Sequence, residues 1–290
     1  MFRGSLVALL TPFDGEQIDE AALRRLVDWH IAEGTHGLVP VGTTGESPTL
    51  SHDEHCRVIQ IVAEQAAGRV PVIAGAGSNN PVEAIGYSKC AQEAGADATL
   101  HVAGYYNRPN QDGLYAHFKM LHDATELPII VYNIPPRAVV DIKPETLARM
   151  AELPRIVGVK DATGDLMRPL AERQLINKEF AWLSGEDGTA VAYNIGGGSG
   201  CISVSANIAP RLCAQVQELT LEGKWQAARE LQDKLIPLHQ AMFIEPNPAG
   251  PKYALSLLGM AKEDCRIPVV PLQESTKARI REAMENLQLI

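Results

Sequence analysis

A lysine ends a short apolar segment near the middle of the chain. Arg155 is followed by the β-branched run 156–159 and then by Lys160, after which Asp161 and a glycine-containing loop begin. Such a run is typical of a strand that is buried on both faces of a parallel sheet. Lys160 then has two interpretations: a solvated surface amine, as most lysines are, or an amine in a pocket that forms a Schiff base with a carbonyl.

Other side chains suited to proton transfer or anion binding also follow predicted strands. They are Thr43 and Thr44 after the second strand, Tyr105 and Tyr106 after the fourth, Tyr132 and Arg137 after the fifth, and Gly185 after the seventh. Any single tyrosine is explained more simply as a rim residue with a packed ring and a hydrated hydroxyl. Together, however, these groups would supply a nucleophile, proton carriers and anion-binding groups at one edge of a sheet.

The elements that must position these groups alternate regularly. Strands are predicted over residues 5–10, 37–41, 70–74, 98–103, 128–132, 156–160, 181–184 and 201–204. Helix caps lie between them, including Asp19, the capping box of Ser51 and Glu54, and Asn80 before Pro81.

Eight strands alternating with helices predict an α/β fold of the (β/α)8 TIM barrel type, with its active site at the carboxyl ends of the strands. A doubly wound sheet is the alternative, although it usually contains fewer strands. We expect the barrel to comprise residues 1–223 and a C-terminal helical extension to comprise residues 224–290.

Two glycine-rich runs and one histidine cluster offer other interpretations. The run 196–200 precedes the eighth strand and is therefore interpreted as a tight helix-to-strand turn rather than a phosphate site. The run 75–80 lacks the third glycine of a dinucleotide fingerprint. The cluster 52–55 has histidines three residues apart and no obvious third ligand, so we expect no metal site.

Composition excludes several classes of partner. The chain has 290 residues, 46% of them hydrophobic, and a net charge of −9, which argues against nucleic acid or an anionic membrane as the main partner. The apolar run within residues 1–10 is too short for the core of a signal sequence, and no later run is long enough to span a membrane, so we expect a cytoplasmic protein. The five cysteines have no metal-type spacing and are predicted to be buried free thiols.

Several motifs resemble one known family. They are Gly42-Thr43-Thr44-Gly45-Glu46, Tyr105-Tyr106-Asn107-Arg108-Pro109, Tyr132-Asn133-Ile134-Pro135 with Arg137, Gly158-Val159-Lys160-Asp161, Ser184-Gly185 and Glu245-Pro246-Asn247-Pro248. In this order, over nearly the whole chain, they closely resemble the signatures of the dihydrodipicolinate synthase family of pyruvate-dependent class I aldolases. The resemblance implies a lyase that acts in lysine biosynthesis through diaminopimelate.

The resemblance also assigns roles to individual residues. Lys160 would form a Schiff base with pyruvate, and the enamine derived from it would condense with aspartate semialdehyde. Tyr132 would carry protons through Thr43 to Tyr106, the last of these reaching into a neighbouring subunit. The remaining substrate-binding positions would be Thr44, Arg137, Gly185 and Ile202. No metal or cofactor beyond the covalent lysine adduct is implied.

A second site and an assembly also follow from the resemblance. Lysine, the pathway end product, would bind between subunits and inhibit the enzyme at Ser47, His52, His55, Asn79, Glu83 and Tyr105. The implied assembly is a homotetramer, a dimer of dimers.

Some positions depart from the family pattern. Ala103 and Gly104 stand where Thr-Pro is common, and Glu186 replaces a usual aspartate. Two alternative functions remain: a sialic-acid or sugar-acid lyase of the same family, which would usually lack Arg137, and a pseudoenzyme that senses pyruvate or lysine.

Overall fold

Eight parallel strands form one sheet that closes into a barrel. The computed structural model describes residues 2–290, so Met1, at the start of the predicted barrel segment, lies outside the described residues. The strands are β1 Gly4–Ala8, β2 Gly37–Val39, β3 Ile73–Gly75, β4 Ala98–Val102, β5 Ile129–Asn133, β6 Ile156–Asp161, β7 Ala181–Ser184 and β8 Gly200–Ser203. Strands that are neighbours in the sheet are consecutive in the chain, β1 pairs with β8, and a bridge between Leu38 and Val72 joins β2 to β3. The predicted barrel is confirmed.

Helices surround the sheet. Those between strands are α1 Glu20–Ala32, α2 His52–Ala66, α3 Pro81–Glu93, α4 Gln111–Ala124, α5 Pro135–Ala138, α6 Pro144–Ala151, α7 Arg168–Leu175 and α8 Ala190–Ile195. The predicted caps explain where three of them begin. Asp19 accepts a hydrogen bond from the Ala22 amide, Ser51 and Glu54 form a reciprocal capping box, and Asn80 caps α3.

The chain after residue 223 is helical, as predicted. α9 Pro210–Leu221 precedes this segment, which contains α10 Trp225–Ala241, α11 Ala249–Leu257 and α12 Glu274–Asn286. Leu238 of α10 and Ile280 of α12 belong to the same buried cluster as Leu6 and Ile130 of the barrel strands. The boundary at residues 223 and 224 therefore stays a prediction about chain organisation.

Two short elements were not predicted. Phe13–Asp14 pairs with Gln17–Ile18 in a small hairpin, and α5 follows β5 directly. Elements of two or four residues are too short to show a strand or helix periodicity. The glycine run 196–200, in contrast, is the expected turn, because it connects the end of α8 to the start of β8.

The prediction of five buried free thiols was wrong for three of the cysteines. Cys56 of α2 and Cys90 of α3 form a disulfide whose Cα atoms are 5.7 Å apart. Cys201 and Cys213 are buried free thiols, and the free thiol of Cys265 is only partly buried. The sequence does not show that α2 and α3 pack side by side, which is what brings together two cysteines separated by 34 residues.

No helix within residues 2–290 combines the length and the apolar character needed to cross a membrane.

Buried histidines make stability depend on pH. His30 and His101 are completely buried, and burial lowers the pKa of each from 6.5 to about 3. Between these values the unfolded chain binds protons that the folded chain does not. The free energy of unfolding must therefore fall as the pH is lowered from 6.5 toward 3.

We expect the substitution His30→Gln to reduce this acid sensitivity. Urea unfolding of the wild type and the variant at pH 7.5 measures the cost of altered packing alone, because the side chain at position 30 is then neutral in both proteins. Between pH 7.5 and pH 5 the free energy of unfolding should fall by about 2 kcal/mol less in the variant than in the wild type, because the variant lacks one group that takes up a proton on unfolding. An identical pH dependence in the two proteins would contradict the assignment.

Candidate active site

Lys160 lies at the end of β6 and points into a cavity at the carboxyl ends of the strands. Its side chain is buried, with 7% of the residue exposed. The Nζ atom lies 4.2 Å from the centre of the Tyr132 ring, and the two residues are register partners on β6 and β5. A cavity of about 210 Å³ is lined by both residues together with Thr43, Thr44 and Arg137. Together with Gly185, which also lines this cavity, six of the predicted site residues therefore converge on one space.

Gly185 makes room for the lysine side chain. A Cβ atom built at this position would lie 3.2 Å from Lys160 Cε and 2.8 Å from the Cβ of Ala162. A larger residue would therefore press on the lysine. The neighbouring Glu186 also lines the cavity; burial raises the pKa of its carboxyl group, while the positive charge of Lys160 opposes that shift.

Thr43 and Thr44 lie in a tight turn after β2. The amide of Gly45 donates to the carbonyl of Gly42 at 3.1 Å, and the amide of Glu46 donates to the carbonyl of Thr43 at 3.2 Å. Within residues 2–290 the amides of Thr43 and Thr44 donate no hydrogen bond. Adjacent free amides in such a turn form a nest that suits a carboxylate.

Arg137 connects this cavity with a second one. The second cavity, of about 260 Å³, shares Thr43, Tyr132 and Arg137 with the first and also contacts Ser47 and Tyr105. Arg137 lies on α5, the short helix that begins immediately after β5. A guanidinium at this junction can face an anionic ligand that spans both cavities.

Two predicted residues do not join the cluster. Tyr106 is 91% exposed and lines neither cavity, so one chain by itself does not assemble a relay of Tyr132, Thr43 and Tyr106. Ile202 is buried in the barrel interior next to Leu6 and does not line the cavity. Val204, two residues later, occupies the cavity wall.

The predicted lysine-binding residues surround a tyrosine that the sequence reasoning missed. The Tyr87 ring stacks on His55 at 3.9 Å and on His52 at 5.2 Å between ring centres. His55 Nε2 donates to the carbonyl of Gly75 at 2.8 Å, and burial lowers the pKa of this histidine to about 4. Tyr87 follows Glu83 by one helical turn on α3. This spacing is the feature of the sequence that could have indicated that Tyr87 belongs to the same cluster.

Glu83 and Asn79 complete this second cluster. Ser78 Oγ donates to the Glu83 carboxylate at 2.5 Å. Asn79 Nδ2 donates to the carbonyl of Tyr105 at 3.3 Å, which links the cluster to the tyrosine loop. Ser47 reaches the same region as a wall of the second cavity.

Asn247 is a further residue of the first cavity to which no role had been assigned. Its Nδ2 donates to Thr44 Oγ1 at 3.0 Å, across 203 residues of sequence. Only its place in a Glu-Pro-Asn-Pro segment hinted at its importance. Among residues 2–290 no group of three or more His, Cys, Asp or Glu side chains is arranged to hold a metal ion, and Glu54 of the 52–55 cluster instead pairs with Arg266.

Comparisons with known proteins agree with this geometry. The family model of the dihydrodipicolinate synthetase family matches residues 1–287. The 4-hydroxy-tetrahydrodipicolinate synthase of Parvibaculum lavamentivorans is 56% identical over 290 residues, covering 100% of both chains.

Solved structures give the same result. A chloride-inhibited dihydrodipicolinate synthase from Acinetobacter baumannii, complexed with pyruvate, matches with a TM-score of 0.98 at 43% identity over 100% of both chains. The enzyme from Cyanidioschyzon merolae with lysine bound matches with a TM-score of 0.96 at 33% identity, covering 100% of this chain and 99% of that one. The motifs, the barrel and the full-length matches lead to one conclusion: the chain belongs to the dihydrodipicolinate synthetase family.

Proposed function

We propose that the chain condenses pyruvate with L-aspartate 4-semialdehyde to give 4-hydroxy-tetrahydrodipicolinate, the first committed step of lysine biosynthesis through diaminopimelate. The observation that carries the proposal is the buried Lys160 amine beside Tyr132 in a cavity that also contains Thr43, Thr44 and Arg137. We also propose that the reaction takes place in the cytoplasm and needs no cofactor beyond the covalent lysine adduct.

Lys160 supplies the nucleophile. Its Nζ attacks the ketone carbon of pyruvate, and loss of water leaves a protonated Schiff base. The positive nitrogen accepts electron density when a proton leaves the methyl group, which gives an enamine. The enamine carbon attacks the aldehyde of the second substrate, and the amine of that substrate then attacks the imine carbon and releases Lys160.

The groups around the lysine serve binding and proton transfer. The free amides of Thr43 and Thr44 donate hydrogen bonds to the pyruvate carboxylate. Tyr132 moves protons to and from the reacting atoms, and Thr43 extends a hydroxyl relay to Tyr106 of a second copy of the chain. Hydroxyl groups shuttle protons well when they are hydrogen-bonded in series, and this relay becomes continuous only in the assembled protein.

The exposed surface supports a homotetramer with two kinds of contact. Tyr106 and Val82 are strongly exposed on the tyrosine-loop side of the barrel. Met167, Leu170 and Ile195 are also exposed. A Cβ atom built on Gly196, next to Ile195, would lie 3.8 Å from Leu170 Cδ2, so these side chains belong to a second apolar patch. Two separate apolar surfaces are what a dimer of dimers requires.

Borohydride reduction in the presence of pyruvate tests the nucleophile. We expect a stable pyruvyl adduct on the peptide that contains Lys160, detected by mass spectrometry. The variant Lys160→Arg keeps the positive charge but cannot form the Schiff base, so kcat should fall by at least about 10³-fold and the adduct should disappear.

Lys178→Arg provides the matched control, because this lysine lies outside the cavity and contacts backbone carbonyls. Normal turnover of Lys160→Arg would refute the mechanism. A pseudoenzyme sensor would bind pyruvate or lysine without any adduct in the wild type.

Arg137 distinguishes this reaction from sugar-acid cleavage. The substitution Arg137→Lys removes the planar fork that binds a carboxylate through two bonds. We expect the KM for aspartate semialdehyde to rise roughly 10- to 100-fold while the yield of the pyruvate adduct stays unchanged. Cleavage of sialic acid or a sugar acid by the wild type, without condensation, would favour the lyase alternative.

Lysine is the proposed inhibitor, bound by the second cluster of polar residues. Glu83 would pair with an amino group of the ligand, so Glu83→Gln should raise the lysine concentration for half inhibition roughly 10-fold or more. Glu93→Gln, at the far end of the same helix, should leave inhibition unchanged. Wild-type activity that is insensitive to millimolar lysine would remove the basis for this site.

A further inference from the structure

A buried ion pair joins the threonine turn to the C-terminal helices. Glu46 lies two residues after Thr44, and Lys252 lies on α11. Their charged groups are in direct contact, and only 3% and 2% of the respective side chains is exposed. Removing two charges from water is costly, and a buried pair is therefore a poor means of adding stability. Its presence here suggests a positional role.

Several contacts fix this pair in place. Lys252 Nζ donates to the carbonyl of Asp264 at 2.7 Å and lies 4.0 Å from the centre of the Phe13 ring. The second carboxylate oxygen of Glu46 accepts from the backbone amide of Arg266 at 2.9 Å. Both oxygens of Glu46 are therefore held by the C-terminal part of the chain.

Arg266 extends the attachment beyond Glu46. Its guanidinium donates to the carbonyl of Thr49 at 2.8 Å and to the carboxylate of Glu54, and it stacks 4.5 Å from the centre of the Phe13 ring. The ion pair with Arg266 lowers the pKa of Glu54 to about 2. The same arginine thus ties down both the short turn Ser47–Thr49 and the first turn of α2.

The backbone at Glu46 needs such support. Its φ angle of 57° lies in the left-handed region, which is unfavourable for a residue with a side chain. The Glu46 amide donates to the Thr43 carbonyl, so the position of Glu46 determines the shape of the turn that carries both threonines. On the other side of that turn Asn247 holds Thr44 Oγ1.

We propose that Glu46, Lys252 and Arg266 are positioning residues that hold the free amides of Thr43 and Thr44 in the geometry required for the pyruvate carboxylate. The C-terminal helical segment thereby sets the affinity of the active site for its first substrate. The effect on the affinity for pyruvate rests on the proposed function. The ordering of the threonine turn by these residues does not depend on the substrate.

Three variants test the proposal: Glu46→Gln, Lys252→Met and the double variant. Each single variant leaves one charge buried without its partner, whereas the double variant removes both, so its stability should return toward that of the wild type. We nevertheless expect the double variant to keep a raised KM for pyruvate, by roughly 10- to 100-fold, with the KM for the semialdehyde within about twofold. A purely structural pair would instead recover its kinetics together with its stability.

The exposed ion pair between Asp14 and Lys262 provides a matched control. It also joins the amino-terminal hairpin to the C-terminal segment, but it lies in solvent and does not touch the threonine turn. Asp14→Asn with Lys262→Met should leave the KM for pyruvate unchanged.

Amide hydrogen exchange without substrate separates this inference from the proposed function. Residues 42–49 should exchange at least about tenfold faster in the double variant than in the wild type, with no change in the control. Unchanged exchange, or an equal rise in the KM for both substrates, would overturn the positioning role. A wild type that forms no pyruvate adduct would overturn the function alone, since the exchange result stands without it.

Discussion

The closure of the barrel is the constraint on which the site depends. Between β2 and β3 the sheet is held by the Leu38–Val72 bridge, the bond from the Leu38 amide to the carbonyl of Pro71, and the bond from the Gly75 amide to the carbonyl of Pro40. Because all eight strands are parallel and closed into a ring, their carboxyl ends meet around one cavity. The space of a few hundred cubic ångströms at this end of the barrel is therefore lined by threonines, a tyrosine, an arginine and a lysine that lie on or follow different strands.

The two buried lysines Lys160 and Lys252 have different surroundings in the barrel and therefore different roles. Lys252 is paired with Glu46, donates to the carbonyl of Asp264 and lies over an aromatic ring, so its ammonium group has partners within the chain. Lys160 faces the Tyr132 ring and an open cavity, and among residues 2–290 no carboxylate lies within ion-pair distance of its Nζ. An amine held by an ion pair joins elements of the fold, whereas an amine without an ion-pair partner beside a cavity is available to a ligand.

The sequence was informative wherever structure depends on local pattern. The strand that ends at Lys160, the cap of α1 at Asp19 and the capping box of Ser51 could all be predicted, since each depends on residues a few positions apart. The bond between Asn247 and Thr44, the disulfide of Cys56 and the stacking of Tyr87 depend on contacts between distant segments or separate helices. No pattern within one element records such contacts; the spacing of Tyr87 from Glu83 shows only that both lie on one face of α3. Tyr106 is exposed in the single chain, and its predicted place in the relay depends on the proposed second copy of the chain.

The departure at Gly104 shows how the tyrosine loop is held without a preceding proline. A Cβ at this position would lie 2.8 Å from the Pro109 ring, so glycine permits that ring to pack against the start of the loop. Tyr106 and Arg108 have φ angles of 64° and 48°, which need support from neighbouring groups.

That support comes from Asn79. It donates to the carbonyl of Tyr105, and Asn107 donates to the carbonyl of Asn79 in return. Stiffness that a proline would supply locally is thus supplied by a residue from the β3–α3 loop. Asn79 also belongs to the proposed lysine site, so a ligand bound there would lie next to the bonds that orient the tyrosines. Coupling between the two proposed sites would then require only a change in these few hydrogen bonds.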